Sequence, residues 1–159
     1  MALRYCLPAL LFIPLQWVFA PLTFWASSLA LSFLRVPNIV NGAFIHLEGV
    51  SLELVFECMV FPAYFLLAAL ACMTPMAWKT RAQLWLSGAC MIFSANIARI
   101  AFVGVLLSEG DWLAFEEFHL FAWRFLSWLF VAVVWILLVS VFKVKGVPLL
   151  DDFRALKKV

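Results

Sequence analysis

The sequence predicts an all-α integral membrane protein with four transmembrane helices and one short β-hairpin. The first observation is composition: of 159 residues, 67% are hydrophobic and 13% are charged, whereas soluble domains are about half apolar and a quarter charged. The second is four apolar segments long enough to cross a hydrocarbon core about 30 Å thick. The third is the unequal distribution of Lys and Arg among the chain ends and the segments that connect the four spans. Together they predict a single membrane domain over residues 1–159. The net charge of +2 gives no reason to expect nucleic-acid binding.

The first apolar segment extends from about residue 5 to 34 and contains three prolines, which predict kinks. The apolar region of a signal peptide has roughly 7–15 residues. This segment is about twice as long, so we expect an uncleaved helix. The other three spans are predicted at about 58–77, 82–107 and 119–142.

The basic residues predict the orientation of these spans. The connection after the first span and the connection after the third span carry acidic residues and only one basic residue, Arg35. Because cytoplasmic connections are enriched in Lys and Arg, both termini should be cytoplasmic, with residues 143–159 as a cytoplasmic tail. The basic residues assigned to that side are Arg4, Lys79, Arg81, Lys143, Lys145, Arg154, Lys157 and Lys158.

A hairpin is predicted at about residues 42–56, on the outer side before the second span. Glu48-Gly49 separates two β-prone runs, and a two-residue turn that ends in glycine suits a β-hairpin. The apolar residues from Phe44 to Phe56 alternate imperfectly with polar ones. A short interfacial helix is the alternative for this segment.

Arg99 stands inside the third span, where a charged side chain is costly and is by default a functional candidate. Asn96 is three residues earlier, on nearly the same helix face. Its amide can orient the guanidinium or form a hydrogen bond with a substrate. A structural role is the alternative, in which Arg99 pairs with an acid such as Glu57 and holds helices together.

Two further reactive groups are predicted at the outer ends of spans: Cys58 begins the second, and His119 begins the fourth. A cysteine thiolate forms near neutral pH when a cation is close. A histidine can take and return protons at physiological pH. Arg99 can stabilise the thiolate or an oxyanion. Glu57 beside the cysteine opposes thiolate formation unless it is paired with Arg99 or His119.

The fourth span contributes two more candidates. Trp123 shares the helix face of His119, whereas Arg124 is about 140° round the helix from it. Arg124 either extends toward interfacial water or supplies a third catalytic group.

The remaining cysteines, Cys6, Cys72 and Cys90, are interpreted as small apolar residues, and no disulfide is expected. His46, in the hairpin, is expected to be solvated. Zinc held by Cys58, His119 and Glu57 is an alternative. The chain lacks CxxC and HExxH spacing, so no metal and no cofactor is predicted.

The order of these motifs resembles the exosortase/archaeosortase family. The matching elements are Glu57-Cys58 opening one span, Asn96-Ile97-Ala98-Arg99-Ile100 in the next, and His119-Leu120-Phe121-Ala122-Trp123 at the start of the last. The hairpin before the cysteine resembles that of the short exosortase H type. In one departure, Met59 and Val60 follow Cys58 where the family usually has a small polar residue and then glycine.

The resemblance implies a cysteine transpeptidase in the cytoplasmic membrane of a prokaryote, with its active site facing outward. Its partners would be membrane lipids and protein substrates that end in a sorting signal of the PEP-CTERM type: a short motif, a transmembrane helix and a basic cluster. Cys58 would be the nucleophile, His119 the proton carrier, and Arg99 the stabilising cation. The oligomeric state is left open.

Two other functions are compatible with the same residues. One is a non-catalytic membrane protein, such as a transporter component or an assembly factor, in which Arg99, Asn96 and Glu57 form a buried polar cluster. The other is an intramembrane protease that uses water alone as the acceptor.

Overall fold

The computed structural model describes residues 19–42, 44–54, 60–121 and 127–144. Within these residues the chain forms five helices and one small antiparallel sheet. In chain order the elements are α1 (Phe19–Phe33), β1 (Asn38–Asn41), β2 (Phe44–Leu47), β3 (Val50–Glu53), α2 (Phe61–Met73), α3 (Trp78–Ser108), α4 (Trp112–Phe121) and α5 (Ser127–Val141).

The central element is α3, and the predicted third span lies inside it. Its 31 residues extend for about 46 Å at 1.5 Å per residue. Among the described helices it is the one long and apolar enough to cross a membrane. Three shorter apolar helices accompany it, at Phe19–Phe33, Phe61–Met73 and Trp128–Val141. The arrangement in four spans, and the side that each end faces, remain predictions.

One apolar core forms where α2, α3 and α5 meet. Gly88 of α3 allows the closest approach: a Cβ at this position would lie 2.6 Å from a methyl carbon of Leu67 and 2.8 Å from one of Leu138. Small residues at such crossings let helices pack tightly in membrane proteins. The fully buried residues of this core include Phe61, Leu67, Leu84, Val134 and Val139.

The predicted hairpin is present as β2 and β3, with Glu48-Gly49 at the turn. Gly49 has a φ of +83°, which glycine adopts without steric cost. The interfacial-helix alternative is therefore wrong for these residues. The sheet has a third strand that the sequence analysis did not anticipate, because β1 pairs antiparallel with β2.

A second apolar core holds the sheet against α1 and α3. Ile45 and Leu47 of β2 are buried there together with Leu31 of α1 and Ile100 and Val103 of α3. Since side chains alternate along a strand, Phe44 and His46 lie on the opposite face of the sheet. The hairpin thus covers one end of the helical core.

Asn38 joins the sheet to the end of α1. Its Nδ2 donates hydrogen bonds to the Val36 carbonyl oxygen at 2.9 Å and to Ser32 Oγ at 3.1 Å, and its Oδ1 accepts one from Ser28 Oγ at 2.5 Å. These bonds orient β1, and through it the whole sheet, relative to α1.

Arg81 closes the connection between α2 and α3. Its Nε donates to the Ala71 carbonyl oxygen at 2.9 Å, and its Nη2 donates to that of Thr74 at 3.2 Å. The last carbonyls of a helix have no partner within the helix, so this arginine stabilises the end of α2.

The helix that carries His119 begins at Trp112, seven residues before the predicted start of the fourth span. The Asp111 carboxylate accepts a hydrogen bond from the Ala114 amide at 3.0 Å, as an N-cap residue does. α4 carries the exposed acids Glu116 and Glu117 and is not one of the apolar helices. We therefore treat α4 as lying outside the membrane-spanning segments.

Candidate active site

Three of the predicted site residues, Asn96, Arg99 and His119, lie in the described part of the chain. The other four lie outside the described residues, and these are Glu57, Cys58, Trp123 and Arg124. The zinc alternative depends on two of those four.

Arg99 and His119 line one cleft of about 240 Å³. The cleft lies between β3, α3 and α4. Its lining residues are Val50, Ser51, Leu52, Glu53, Leu54, Arg99, Ile100, Val103, Leu107, Trp112, Phe115 and His119. Two candidates chosen for their chemistry, 20 residues apart in the chain, are therefore brought to one site.

The floor of the cleft is one face of α3. Ile100, Val103 and Leu107 are three and four residues apart, a spacing that places side chains on one helix face. All three are buried under the sheet. Arg99 precedes them and is partly buried, so its guanidinium stands at the edge of an apolar surface.

α4 forms the opposite wall with three aromatic rings on one face. Phe115 and His119 are stacked, with ring centroids 5.6 Å apart and an interplanar angle of 20°. Trp112 meets Phe115 edge to face at 6.0 Å. Phe118 packs edge to face on Phe102 of α3 at 4.6 Å. These contacts fix α4 on α3 and hold the imidazole at the cleft.

The environment of His119 favours its neutral form. Burial lowers the pKa of the imidazole below its ordinary value, and the nearby Arg99 guanidinium lowers it further. Both effects oppose a second positive charge at this place. A neutral imidazole has a free ring nitrogen that can accept a proton, so His119 is suited to act as a base at neutral pH.

The third wall consists of the four residues of β3 and the residue that follows it, Leu54, all of which line the cleft. Leu54 is only 3% exposed and anchors the end of this wall in the second core. The chain returns to the described part at Val60, the N-cap residue of α2, which has a φ of +48°.

Asn96 is 5% exposed, and it is not among the residues that line the cleft. His46 lies on the face of the sheet opposite the second core, where its Nδ1 is 2.7 Å from Ser51 Oγ and its ring stacks on Phe44 at 6.1 Å. It therefore has protein partners rather than only solvent. Cys72 and Cys90 are free and exposed.

Neither the aromatic wall formed by α4 nor the strand wall formed by β3 was predicted from the sequence. The wall of α4 had a signal: Trp112 and Phe115 precede His119 by seven and four residues, a spacing typical of one helix face. The strand wall had none, because its position depends on how the sheet packs on α3.

A comparison with known protein families identifies the family of the chain. The family model described as transmembrane exosortase matches residues 1–140, which include Cys58, Arg99 and His119. No curated protein and no solved structure is significantly similar to the chain. The family match covers far more than half of the 159 residues. The chain therefore belongs to the transmembrane exosortase family, whose role is that of a membrane transpeptidase acting on proteins with sorting signals.

Proposed function

We propose that this protein is a cysteine transpeptidase embedded in the cytoplasmic membrane, which cleaves C-terminal sorting signals of exported proteins on the outer face. The observation that carries the proposal is the shared cleft of Arg99 and His119. The β3 wall of that cleft ends at Leu54, four residues before Cys58.

Covalent geometry supports a thiol near the cleft. A fully extended chain spans at most about 3.3–3.6 Å per residue. The Cα atom of Cys58 is therefore at most about 14 Å from that of Leu54, and at most about 7 Å from that of Val60. Leu54 lines the cleft and Val60 is the N-cap residue of α2, so Cys58 belongs to a short link between the cleft wall and α2, and we propose that this link brings its thiol to Arg99 and His119.

The proposed acylation begins with proton transfer from the Cys58 thiol to neutral His119. The thiolate attacks the carbonyl carbon of the scissile peptide bond and forms a C–S bond, and the carbonyl oxygen becomes an oxyanion. The C–N bond then breaks, and protonated His119 gives its proton to the leaving amine. The products are a thioester on Cys58 and a free transmembrane tail.

The acceptor reverses these steps. Its amine or hydroxyl loses a proton to His119 and attacks the thioester carbon. The C–S bond breaks, and Cys58 recovers its proton from His119. An acceptor amine leaves a new amide on the substrate, whereas water leaves a free carboxylate. Product analysis thus separates a transpeptidase from a plain protease.

Arg99 supplies the fixed positive charge in this scheme. Two negative species form during the reaction, the thiolate and the oxyanion, and a nearby cation stabilises both. The partly buried position of Arg99 strengthens this effect, because electrostatic interactions are weakly screened away from bulk water. Together with burial, which is the larger cause, Arg99 also lowers the pKa of His119 and so favours the neutral imidazole that accepts the thiol proton.

Substitution of the proposed nucleophile tests this function. The substrate is a reporter protein fused to a C-terminal tail of motif, transmembrane helix and basic cluster, taken from the same genome. Cys58→Ala should abolish cleavage while membrane insertion is unchanged. Cys72→Ala, which removes an exposed free thiol elsewhere, should cleave at the wild-type rate. Full cleavage activity in Cys58→Ala would end the proposal that Cys58 is the nucleophile.

The role of Arg99 has its own test. Arg99→Lys should lower the cleavage rate by about 10²–10³-fold, as loss of an oxyanion donor does, because an ammonium group does not reproduce a planar guanidinium. Arg35→Lys, outside the cleft, is the matched control. A wild-type rate in Arg99→Lys would reduce the role of Arg99 to that of a generic charge.

A further inference from the structure

We propose that the motif of the substrate binds as an additional β-strand on the free edge of β3. The inference rests on the proposed function and names how that site holds its substrate. The sheet order is β1-β2-β3, so among the described residues β3 has one paired edge and one open edge. The residues of β3 line the same cleft as Arg99 and His119.

The register of the hairpin identifies which backbone groups face the open edge. Leu47 and Val50 pair directly across the two-residue turn, so they form a hydrogen-bonded pair, and such pairs alternate with non-hydrogen-bonded ones. Leu52 is then bonded to Ile45, whereas Ser51 and Glu53 belong to non-hydrogen-bonded pairs. The N–H and C=O groups of Ser51 and Glu53 therefore point away from β2.

The lining of the cleft supports this assignment. Side chains of consecutive strand residues point to opposite faces, yet all five residues from Val50 to Leu54 line the cleft. A cavity that contacts all five must follow the backbone edge. Within the described ranges, no other element forms a backbone hydrogen bond with Ser51 or Glu53. Such an edge is a template for another strand.

The size and the walls of the cleft fit an extended peptide. Its volume of about 240 Å³ is below the roughly 300–1,000 Å³ typical of sites that enclose a whole small molecule. A short stretch of a longer chain suits it better. Main-chain pairing gives affinity in this mode of binding, and pockets for alternate side chains give specificity. The rings of Trp112 and Phe115 on the opposite wall are suited to contact those side chains.

Strand addition also accounts for delivery of the scissile bond. β3 ends five residues before Cys58 in the chain, so a peptide paired with β3 is held beside the strand that precedes the proposed nucleophile. The edge reads backbone and not sequence. The substrate class is therefore an extended, unstructured segment, and a helical motif should be a poor substrate.

Proline substitution tests the proposal, because proline lacks the N–H and is tolerated at outward-facing positions of edge strands. Ser51→Pro and Glu53→Pro each remove one outward N–H of β3. Val40→Pro is the matched control on the far edge of the same sheet. Val40 lies opposite Ile45, which bonds to Leu52 instead, and Val40 does not line the cleft.

We expect each β3 variant to lower kcat/KM for the tailed reporter by up to about tenfold, mainly by raising KM, since each variant loses one hydrogen bond to the substrate. Val40→Pro should match the wild type. In a Cys58→Ala background, which retains uncleaved reporter, Ser51→Pro and Glu53→Pro should also lower the amount of reporter recovered with the protein. Glu53→Pro serves if Ser51→Pro does not accumulate in the membrane.

Two results would overturn the inference. One is wild-type kcat/KM in both β3 variants. The other is an equal loss in Val40→Pro, which indicates general damage to the sheet. In either case, cleavage by the wild type and its loss in Cys58→Ala would leave the proposed function intact. If the wild type does not cleave tailed reporters at all, the proposed function itself fails.

Discussion

Arg99 of α3 and His119 of α4 line the same cleft, where burial and then the Arg99 guanidinium lower the pKa of the His119 imidazole. An arginine with a purely structural role would not need a histidine in the same cleft. A histidine that is only solvated would not be partly buried near an arginine. In the proposed mechanism the two residues have complementary roles. Arg99 provides positive charge where anions form, and His119, with its lowered pKa, accepts a proton.

The first prediction concerns the pH dependence of cleavage. His119 acts as a base only when it is unprotonated, so the cleavage rate should rise with pH through the pKa of His119. Burial and Arg99 lower that pKa, so the acidic limb of kcat/KM should lie below 6.5, the ordinary pKa of histidine. The measurement is a pH–rate profile of tailed-reporter cleavage in proteoliposomes.

The pH–rate profile of Arg99→Gln separates the effect of burial on the pKa of His119 from the effect of the Arg99 charge. Removal of the cation should raise the pKa of His119 and shift the limb of the residual activity toward higher pH. The shift should be partial, because burial is the larger cause. His46→Gln, on the far face of the sheet, should leave the limb unchanged. If the acidic limb lies at or above pH 6.5 and does not shift in Arg99→Gln, His119 is not the base that sets the cleavage rate.

The elements that could be predicted from sequence are those with strong local signals. The long apolar run of α3 and the Glu48-Gly49 turn of the hairpin both correspond to observed elements. β1 was missed because Asn38–Asn41 is short and gains its structure by pairing with β2. The early start of α4 has an N-cap signal at Asp111. Apolar periodicity, which predicted the spans, does not detect an N-cap residue.

The candidate site divides in the same way. Arg99 and His119 could be selected as candidates from chemistry alone. A charged residue inside one predicted span and a histidine at the start of the next are uncommon. The contribution of β3 could not be selected, because it consists of backbone groups, which every residue has. Only the pairing register and the packing on α3 determine which of them face the cleft.

The second prediction concerns Val60, at the position where the family usually has glycine. Val60 has a φ of +48°, which is a genuine outlier for a β-branched residue. An L-residue in this conformation costs roughly 1–2 kcal/mol. Val60→Gly should therefore be more stable than Val60→Ala by about 1 kcal/mol.

Thermal unfolding in detergent checks this order. Both variants lose the partly buried valine side chain. The difference in stability between Val60→Gly and Val60→Ala therefore does not contain that loss. Ala69→Gly, inside α2, is the control and should destabilise the protein by about 1 kcal/mol. If Val60→Ala proves more stable than Val60→Gly, residue 60 does not adopt the left-handed conformation.

The last prediction concerns the crossing of α2, α3 and α5 at Gly88. A Cβ there already meets Leu67 and Leu138 at under 3 Å, and those methyl groups can move slightly to admit alanine. A larger side chain has no space, so Gly88→Leu should destabilise the protein by about 1–3 kcal/mol through overpacking. Ala82→Leu, at an exposed position of the same helix, adds a comparable side chain without a clash and should be nearly neutral. Thermal unfolding of both variants in detergent measures the difference. Equal stability would mean that the three helices do not meet at Gly88, and the core that supports the cleft would need a different packing.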